Sequence, residues 1–320
     1  MIYYFLELLA SLTFALGFSL SKLYQKNTTN NFFSSIVYVS LNSIIGAVLV
    51  FAINGFRISF TPLSFILALS FGALSLLSNF ISLLLLKYGS MSVYSQFMML
   101  GGMVLPYFFG IFVFSEKLTD LKIVGLAVMV LSLSLTMKIE KNADKKKTVI
   151  YSLLCIAAFF MNGTFSIIAS IQGNAQEAWN IPTSGVYDFT VMRQLFGFLF
   201  TVPVITVMLS SKKFRPESVE SSKKILKFLP IMAAAVYAVI GSFGNMLQLF
   251  CVPFVDSSIL FPISTGGTVL FSTVLGLIFY KEKATKLTII CLILTIVSTV
   301  LFMLGDFFPE TYIIGLFGFK

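Results

Sequence analysis

The sequence predicts an all-α membrane protein with ten transmembrane helices arranged as two inverted five-helix repeats. Three observations carry that expectation: an apolar composition, long uncharged runs of spanning length, and an internal repeat containing an odd number of runs. Of 320 residues, 58% are hydrophobic and 11% charged, with mean hydropathy +0.96. A soluble domain carries about 25% charged residues. The 22 basic and 13 acidic residues lie mostly in short clusters between apolar stretches. Backbone groups in lipid must be satisfied within a helix or a closed barrel, and these runs are too long and uniform for barrel strands.

About 20 apolar residues cross the roughly 30 Å hydrocarbon core. The first run, 2–23, opens with MIYYFLELL and has neither a basic leader nor a small-residue cleavage site, so it reads as a retained helix containing Glu7. Runs 33–53 and 63–86 carry Tyr38 and Asn42, then Asn79. Run 91–114 holds Tyr94, Gln96 and the Gly101-Gly102 pair, and run 121–139 leads into the charged break KIEKNADKKK at 138–147. Beyond it lie 148–172 with Asn162, an expected loop near 173–186, and 185–210 with Asp188, Arg193 and Gln194. Run 225–250 carries Tyr237, Asn245 and Gln248, run 256–280 the Gly266-Gly267 pair, and 286–305 is the tenth. The chain thus divides into a first repeat (1–139), a charged linker (140–147), a second repeat (148–305) and an apolar tail (306–320) too short to cross.

A shift of 166 residues places Asn79 on Asn245, Leu83 on Leu249, Ser92 on Ser258, Gly101 on Gly267, Gly110 on Gly276, Glu116 on Glu282 and Lys117 on Lys283. Charged and amide residues take part, so the match is more than shared hydrophobicity. Repeats with an odd number of spans must point in opposite directions, the arrangement of many secondary transporters with a midplane site between the halves.

Several function classes are excluded by what is missing. No His is present to ligate a metal or relay protons, and no Gly-rich phosphate loop exists to support ATP hydrolysis. Cys155, Cys251 and Cys291 stand singly in apolar runs and suit packing better than a disulfide. Little length remains for a soluble catalytic domain, so no enzymatic activity and no cofactor are expected. The net charge of +9 fits a cytoplasmic lysine excess rather than nucleic-acid binding. The odd-numbered connections carry 17 Lys and Arg against 4 on the other side, which places the 140–147 linker in the cytoplasm and both termini outside.

Ten runs in two fives, each with a Gly-containing fourth span ending in Glu-Lys, resemble the drug/metabolite transporter superfamily, specifically its EamA-like domain pairs. The matching stretches are FFGIFVFSEKLTDLKIVGLAVMVLSL and VLGLIFYKEKATKLTIICLILTIVST, and the hydropathy layout covers essentially the whole chain. The resemblance implies a carrier of small organic solutes, often outward, by alternating access without an ATPase. It also implies an Arg in the second span of each half, a place that Arg193 fits and that Asn42 takes in the first half.

A charge deep in a span costs about 3 kcal/mol on insertion scales and marks function by default. Arg193, with a planar five-donor fork, suits a substrate carboxylate or phosphate; the alternative is a fixed ion pair with Asp188 or Glu7. Glu7, a carboxylate within a span, and Asp188, at a helix start where it also complements the dipole, are the candidates for proton coupling. Asn42, Asn79, Gln96, Asn162, Gln194, Asn245 and Gln248 form either interhelical glue or a neutral polar cavity lining. Tyr38, Tyr94 and Tyr237 pack or stack on a ligand. Gly101, Gly102, Gly266 and Gly267 permit close helix packing or bending. Trp179 reads as an interface anchor.

The expected function is secondary transport of a small polar or amphipathic metabolite, by export or exchange, in the plasma membrane of a bacterium. The alternatives are a non-transporting scaffold or receptor and, behind it, a membrane-embedded lipid-modifying enzyme. Expected partners are the small-molecule substrate and the bilayer.

Overall fold

The computed structural model describes residues 2–29, 31–88, 91–135, 145–212, 214–279 and 286–307; side chains at 83, 85–88, 91–95, 145–148, 287 and 288 are outside that description. The described residues are helical with short connections and no strand. The helices are α1 (Ile2–Asn27), α2 (Phe32–Ile53), α3 (Pro62–Tyr88), α4 (Met91–Val113), α5 (Asp120–Leu135), α6 (Lys145–Trp179), α7 (Val186–Ser210), α8 (Arg215–Ile225), α9 (Phe228–Cys251), α10 (Ser257–Phe279) and α11 (Lys286–Phe307). Among the described residues, nine of these are long and apolar enough to cross a membrane. Helix α5, with 16 described residues, and α8, with 11, are shorter.

Each expected run coincides with a helix, and two segments depart from expectation. Helix α6 continues to Trp179, through residues placed in a loop, because GNAQEAW loses hydropathy without losing helix-forming capacity. Ala175 is fully buried and Gln172 bonds Ser64 and the Ser184 carbonyl, so one side of this polar stretch packs on the bundle. Asn180, at φ 53°, then ends it. The connection after α7 contains α8, started by Pro216 with Glu217 in its first turn and ended by Lys223 and Lys224.

Two ends of the bundle can be distinguished. Tyr3 stacks on Phe254, Cys251 contacts the Tyr3 carbonyl, Lys122 pairs with Asp256, and Tyr4 bonds Asp306. The starts of α1, α5 and α10 therefore meet the ends of α9 and α11 at one face, where Trp179 tilts against Phe114 at 5.4 Å. We call this the Trp179 face. At the other, Thr29 and Asn31 of the α1–α2 turn bond Ser221 of α8. Helix α1 packs on α9 and α10, while α6 packs on α3 and α4; α2 packs on α7 and α9, while α7 packs on α2 and α3. The pairs α4–α10 and α5–α11 join the two halves.

Outward surfaces are apolar, as Phe5, Val48, Phe112, Val207 and Ile278 illustrate, each at least 60% exposed. Polar side chains turn inward instead. Between α5 and α11, Ser132 bonds the Cys291 carbonyl and Thr295, and Ser298 bonds the Gly125 carbonyl at 2.6 Å. Such bonds and small residues hold helices together where lipid removes the hydrophobic drive. Cys155, Cys251 and Cys291 are buried free thiols. A Cβ at Gly101 would overlap the Phe159 carbonyl of α6, and one at Gly102 would run into the Asn162 amide. At Gly266 it would lie 2.7 Å from Thr299 Oγ1, and at Gly267 2.7 Å from Ser11 Oγ.

Gly101→Ala is therefore expected to lower folding stability by about 1–3 kcal/mol. Unfolding of the purified protein in detergent measures it; a wild-type midpoint would contradict so close an α4–α6 crossing.

Candidate functional site

Two adjoining cavities, of about 280 and 370 Å³, lie inside the bundle and share Phe14, Phe71, Phe165, Arg193 and Asn245 in their walls. Arg193 stands about two turns into α7 and is 6% exposed. Its guanidinium lies over the Phe71 ring at 5.0 Å and makes no hydrogen bond or ion pair among the described residues. A cation–π contact returns about 0.5–2 kcal/mol. Desolvating a guanidinium costs several kcal/mol, so the ring leaves most of that penalty unmet. The walls around Arg193 complement an anion.

The smaller cavity adds Asn162, Ser166, Gln248, Ser264, Thr265 and Thr268, with Phe18, Met99 and Phe261 on its apolar side. The larger adds Tyr38, Asn42, Ser43, Gln194, Tyr237 and Ser242. Both therefore pair aromatic faces with neutral hydrogen-bonding groups, the lining of a small-molecule site. The Asn162 amide donates to the Met98 carbonyl (2.7 Å), that of Gln194 to Ser242 Oγ (2.8 Å) and that of Asn245 to the Gly241 carbonyl (2.7 Å). Each thus helps to position the wall as well as lining it.

Of the side chains singled out in the sequence, Arg193, Asn42, Asn162, Gln194, Asn245, Gln248, Tyr38 and Tyr237 reach these cavities. Asn79 and Gln96 do not line them: Asn79 bonds its own helix at the Ser75 carbonyl, and Gln96 keeps a buried acceptor without a partner. The Tyr94 side chain lies outside the described residues, as do Glu282, Lys283 and residues 308–320 of the tail. Phe71 and Phe165 were missed among the many phenylalanines. Phe71 did carry a signal, because the 166-residue shift sets it on Tyr237, and both flank Arg193. The same shift relates Met99 to Thr265 and Gly102 to Thr268, all of them in the smaller cavity wall.

Neither carboxylate weighed as an ion-pair partner meets Arg193. Asp188 accepts from Asn54 Nδ2 at 2.7 Å and from Ser59, tying the α2–α3 connection to the start of α7 at the Trp179 face. Glu7 is 1% exposed and sits one side chain behind the smaller cavity. Gln248 Nε2 donates to Glu7 Oε1 at 3.1 Å and to Ser264 Oγ at 2.8 Å, while Glu7 Oε2 is buried without a partner.

The Trp179 face is fastened by charge. Beyond the end of α4, Ser115 adopts φ 56° and turns the chain so that Glu116 reaches the start of α10. Its two oxygens accept from the backbone N–H groups of Ser257 (2.7 Å) and Ser258 (2.8 Å). These are unpaired helix-start donors at the positive end of the dipole. Burial pushes the Glu116 carboxyl above the ordinary carboxylate range, and the bonds from Ser258 and Ser257 oppose that shift. A Cβ at Gly110 would strike this carboxylate, so the glycine makes the fold-back possible. Alongside, Lys122 Nζ is bonded to Asp256 (2.9 Å), the Lys117 carbonyl (2.8 Å) and Ser258 Oγ (3.3 Å).

No protein-family model matches the chain, and no curated protein does. Among solved structures, one described only as the crystal structure of a protein is similar over 97% of this chain and 98% of its own, with TM-score 0.66 and 12% identity. At that identity the likeness is one of fold.

Proposed function

We propose that the chain is a secondary transporter of a small organic anion, or of a metabolite with an anionic end, working by alternating access between two inverted five-helix halves. The observation that carries this reading is Arg193: a buried cation in the wall of two joined cavities, with an aromatic face behind it and, among the described residues, no protein anion on it. A roomy polar interior favours a carrier over a scaffold, for which a dry, filled core suffices.

The packing supports inversion. Exchanging α1–α5 for α6, α7, α9, α10 and α11 turns α1 on α9 and α10 into α6 on α3 and α4, and α2 on α9 into α7 on α3. The pairs α2–α7, α4–α10 and α5–α11 map onto themselves. Helices α4 and α10, related by the repeat, meet end to start at Glu116 and so run in opposite directions. In alternating access, the Glu116 and Lys122–Asp256 contacts then close the Trp179 face. Proton coupling, where it operates, runs through Glu7, which Gln248 and Ser264 connect to the cavity. Asp188, fastened in a surface connection, is the weaker candidate.

Charge gives the orientation. Lys22, Lys26, Lys212, Arg215, Lys223, Lys224 and Lys227 gather at the α8 face, against Arg57, Lys117 and Lys122 at the Trp179 face. We place the α8 face in the cytoplasm. A reagent that cannot cross membranes should label Glu177→Cys and spare Glu220→Cys in intact cells; the opposite pattern would reverse the orientation.

Arg193→Met removes a buried charge that lacks a partner, so the unliganded midpoint should equal or exceed that of wild type. Carboxylated and phosphorylated solutes should stabilise wild type by mass action. Their affinity for the Met variant should fall by about tenfold to a hundredfold, the value of a charge-assisted bond. Equal stabilisation of both proteins would sink the anion reading.

Glu116→Ala should cost about 1–3 kcal/mol of stability. In the same background, a cysteine at Ser264 should react faster with reagent added from the Trp179 face. Unchanged labelling would show that Glu116 caps a helix without closing that face.

A further inference from the structure

We propose that α8 and its flanking residues form a docking surface for the headgroups of anionic phospholipids in the adjoining leaflet. The inference is independent of what the protein carries. Eleven residues rise about 16 Å, too little to cross a bilayer. Helix α8 is joined within a few residues to the end of α7 and the start of α9, so it lies at the membrane boundary. One of its faces is already occupied. Ser218, Ser221 and Ile225, at helical spacing, are buried against the bundle, and Ile225 packs with Tyr24, Phe33 and Ala234.

The opposite face mixes two chemistries. Lys212, Arg215, Lys223 and Lys227 are exposed, and their side chains make no hydrogen bond or ion pair among the described residues. The nearby carboxylates do not neutralise them: Glu217 accepts from Asn31 at 2.9 Å, and Glu220 pairs with Lys224 at 3.1 Å. Between the free cations stand exposed apolar side chains, Phe214 at 40%, Val219 at 41% and Leu226 at 74%.

Cations alone would serve any soluble anion, and apolar groups alone would serve any lipid. Their interleaving on a helix at the bilayer edge fits a surface where phosphates and acyl chains lie a few ångströms apart. There the apolar side chains dip inward and the long basic ones extend to the phosphates. The surface is built in, because Asn31 and Thr29 fasten α8 to the α1–α2 turn through Ser221.

The test uses the full-length protein in uncharged detergent, with its unfolding midpoint followed as phosphatidylglycerol or phosphatidylcholine is added. Phosphatidylglycerol should raise the midpoint saturably, phosphatidylcholine should not, and added salt should weaken the effect. Each neutralised cation should raise the half-effect concentration by up to about fivefold, and the combined variant Lys212→Gln, Arg215→Gln, Lys223→Gln, Lys227→Gln by more than about tenfold. A variant that keeps charge, Arg215→Lys with Lys223→Arg, should behave as wild type. A neutralised variant responding like wild type would overturn the proposal, as would inorganic phosphate producing the same rise. Should the combined variant fail to fold, Lys223→Gln decides alone, since its side chain is exposed and has no hydrogen bond or ion pair among the described residues to lose; an unchanged response there overturns the proposal equally.

Discussion

Hydrocarbon offers no hydrogen bonds, and every other feature of this protein follows from that. Polar side chains on the helices must face one another, and they do so in a seam between α5 and α11 and around the two central cavities. The seam is closed because serine and threonine hydroxyls find carbonyls within one helix diameter. Around the cavities the amides are tied within the walls instead, Asn162 to the Met98 carbonyl, Gln194 to Ser242 and Asn245 to the Gly241 carbonyl. Helix α7 is where the requirement is least fully met: Arg193 has an aromatic ring for company and no anion. The charge of Arg193 is thereby left facing a space of molecular size.

Much of the fold was legible because hydropathy and length decide a membrane helix almost unaided. The departures have physical reasons. Helix α6 overran its expected end at 172 because the polar residues from Gly173 on read as a loop, whereas Ala175 is fully buried and Gln172 beside it is held by Ser64 and Ser184. A window of hydropathy cannot tell a polar residue facing water from one facing a partner. Helix α8 was hidden for the opposite reason. Its Pro216, Glu217 and terminal lysines are helix punctuation, but a polar connection draws attention to its charge rather than its conformation.

The site was partly legible. A charge inside an apolar run announces itself, so Arg193 and Glu7 could be found from sequence alone. What could not be read was the company they keep: both carboxylates considered for Arg193 are engaged elsewhere, Asp188 with Asn54 and Ser59, and Glu7 with Gln248. Amides were harder, since Asn79 and Asn245 are related by the repeat and yet only Asn245 reaches the cavities. Phe71 carries a π-face to the guanidinium, but one phenylalanine among 36 has no distinguishing mark except its repeat-related partner Tyr237.

Glu116 grips α10 at its first backbone N–H groups, those of Ser257 and Ser258. A grip on the peptide backbone is blind to which amino acids α10 displays. Side chains further along α10, Phe261, Ser264, Thr265 and Thr268 among them, form part of the cavity wall. The lining of this helix can therefore be rewritten residue by residue while its fastening keeps the same strength. What the cavity displays and how the Trp179 face is fastened are in this way separately adjustable, one by side chains along α10 and the other at its first turn.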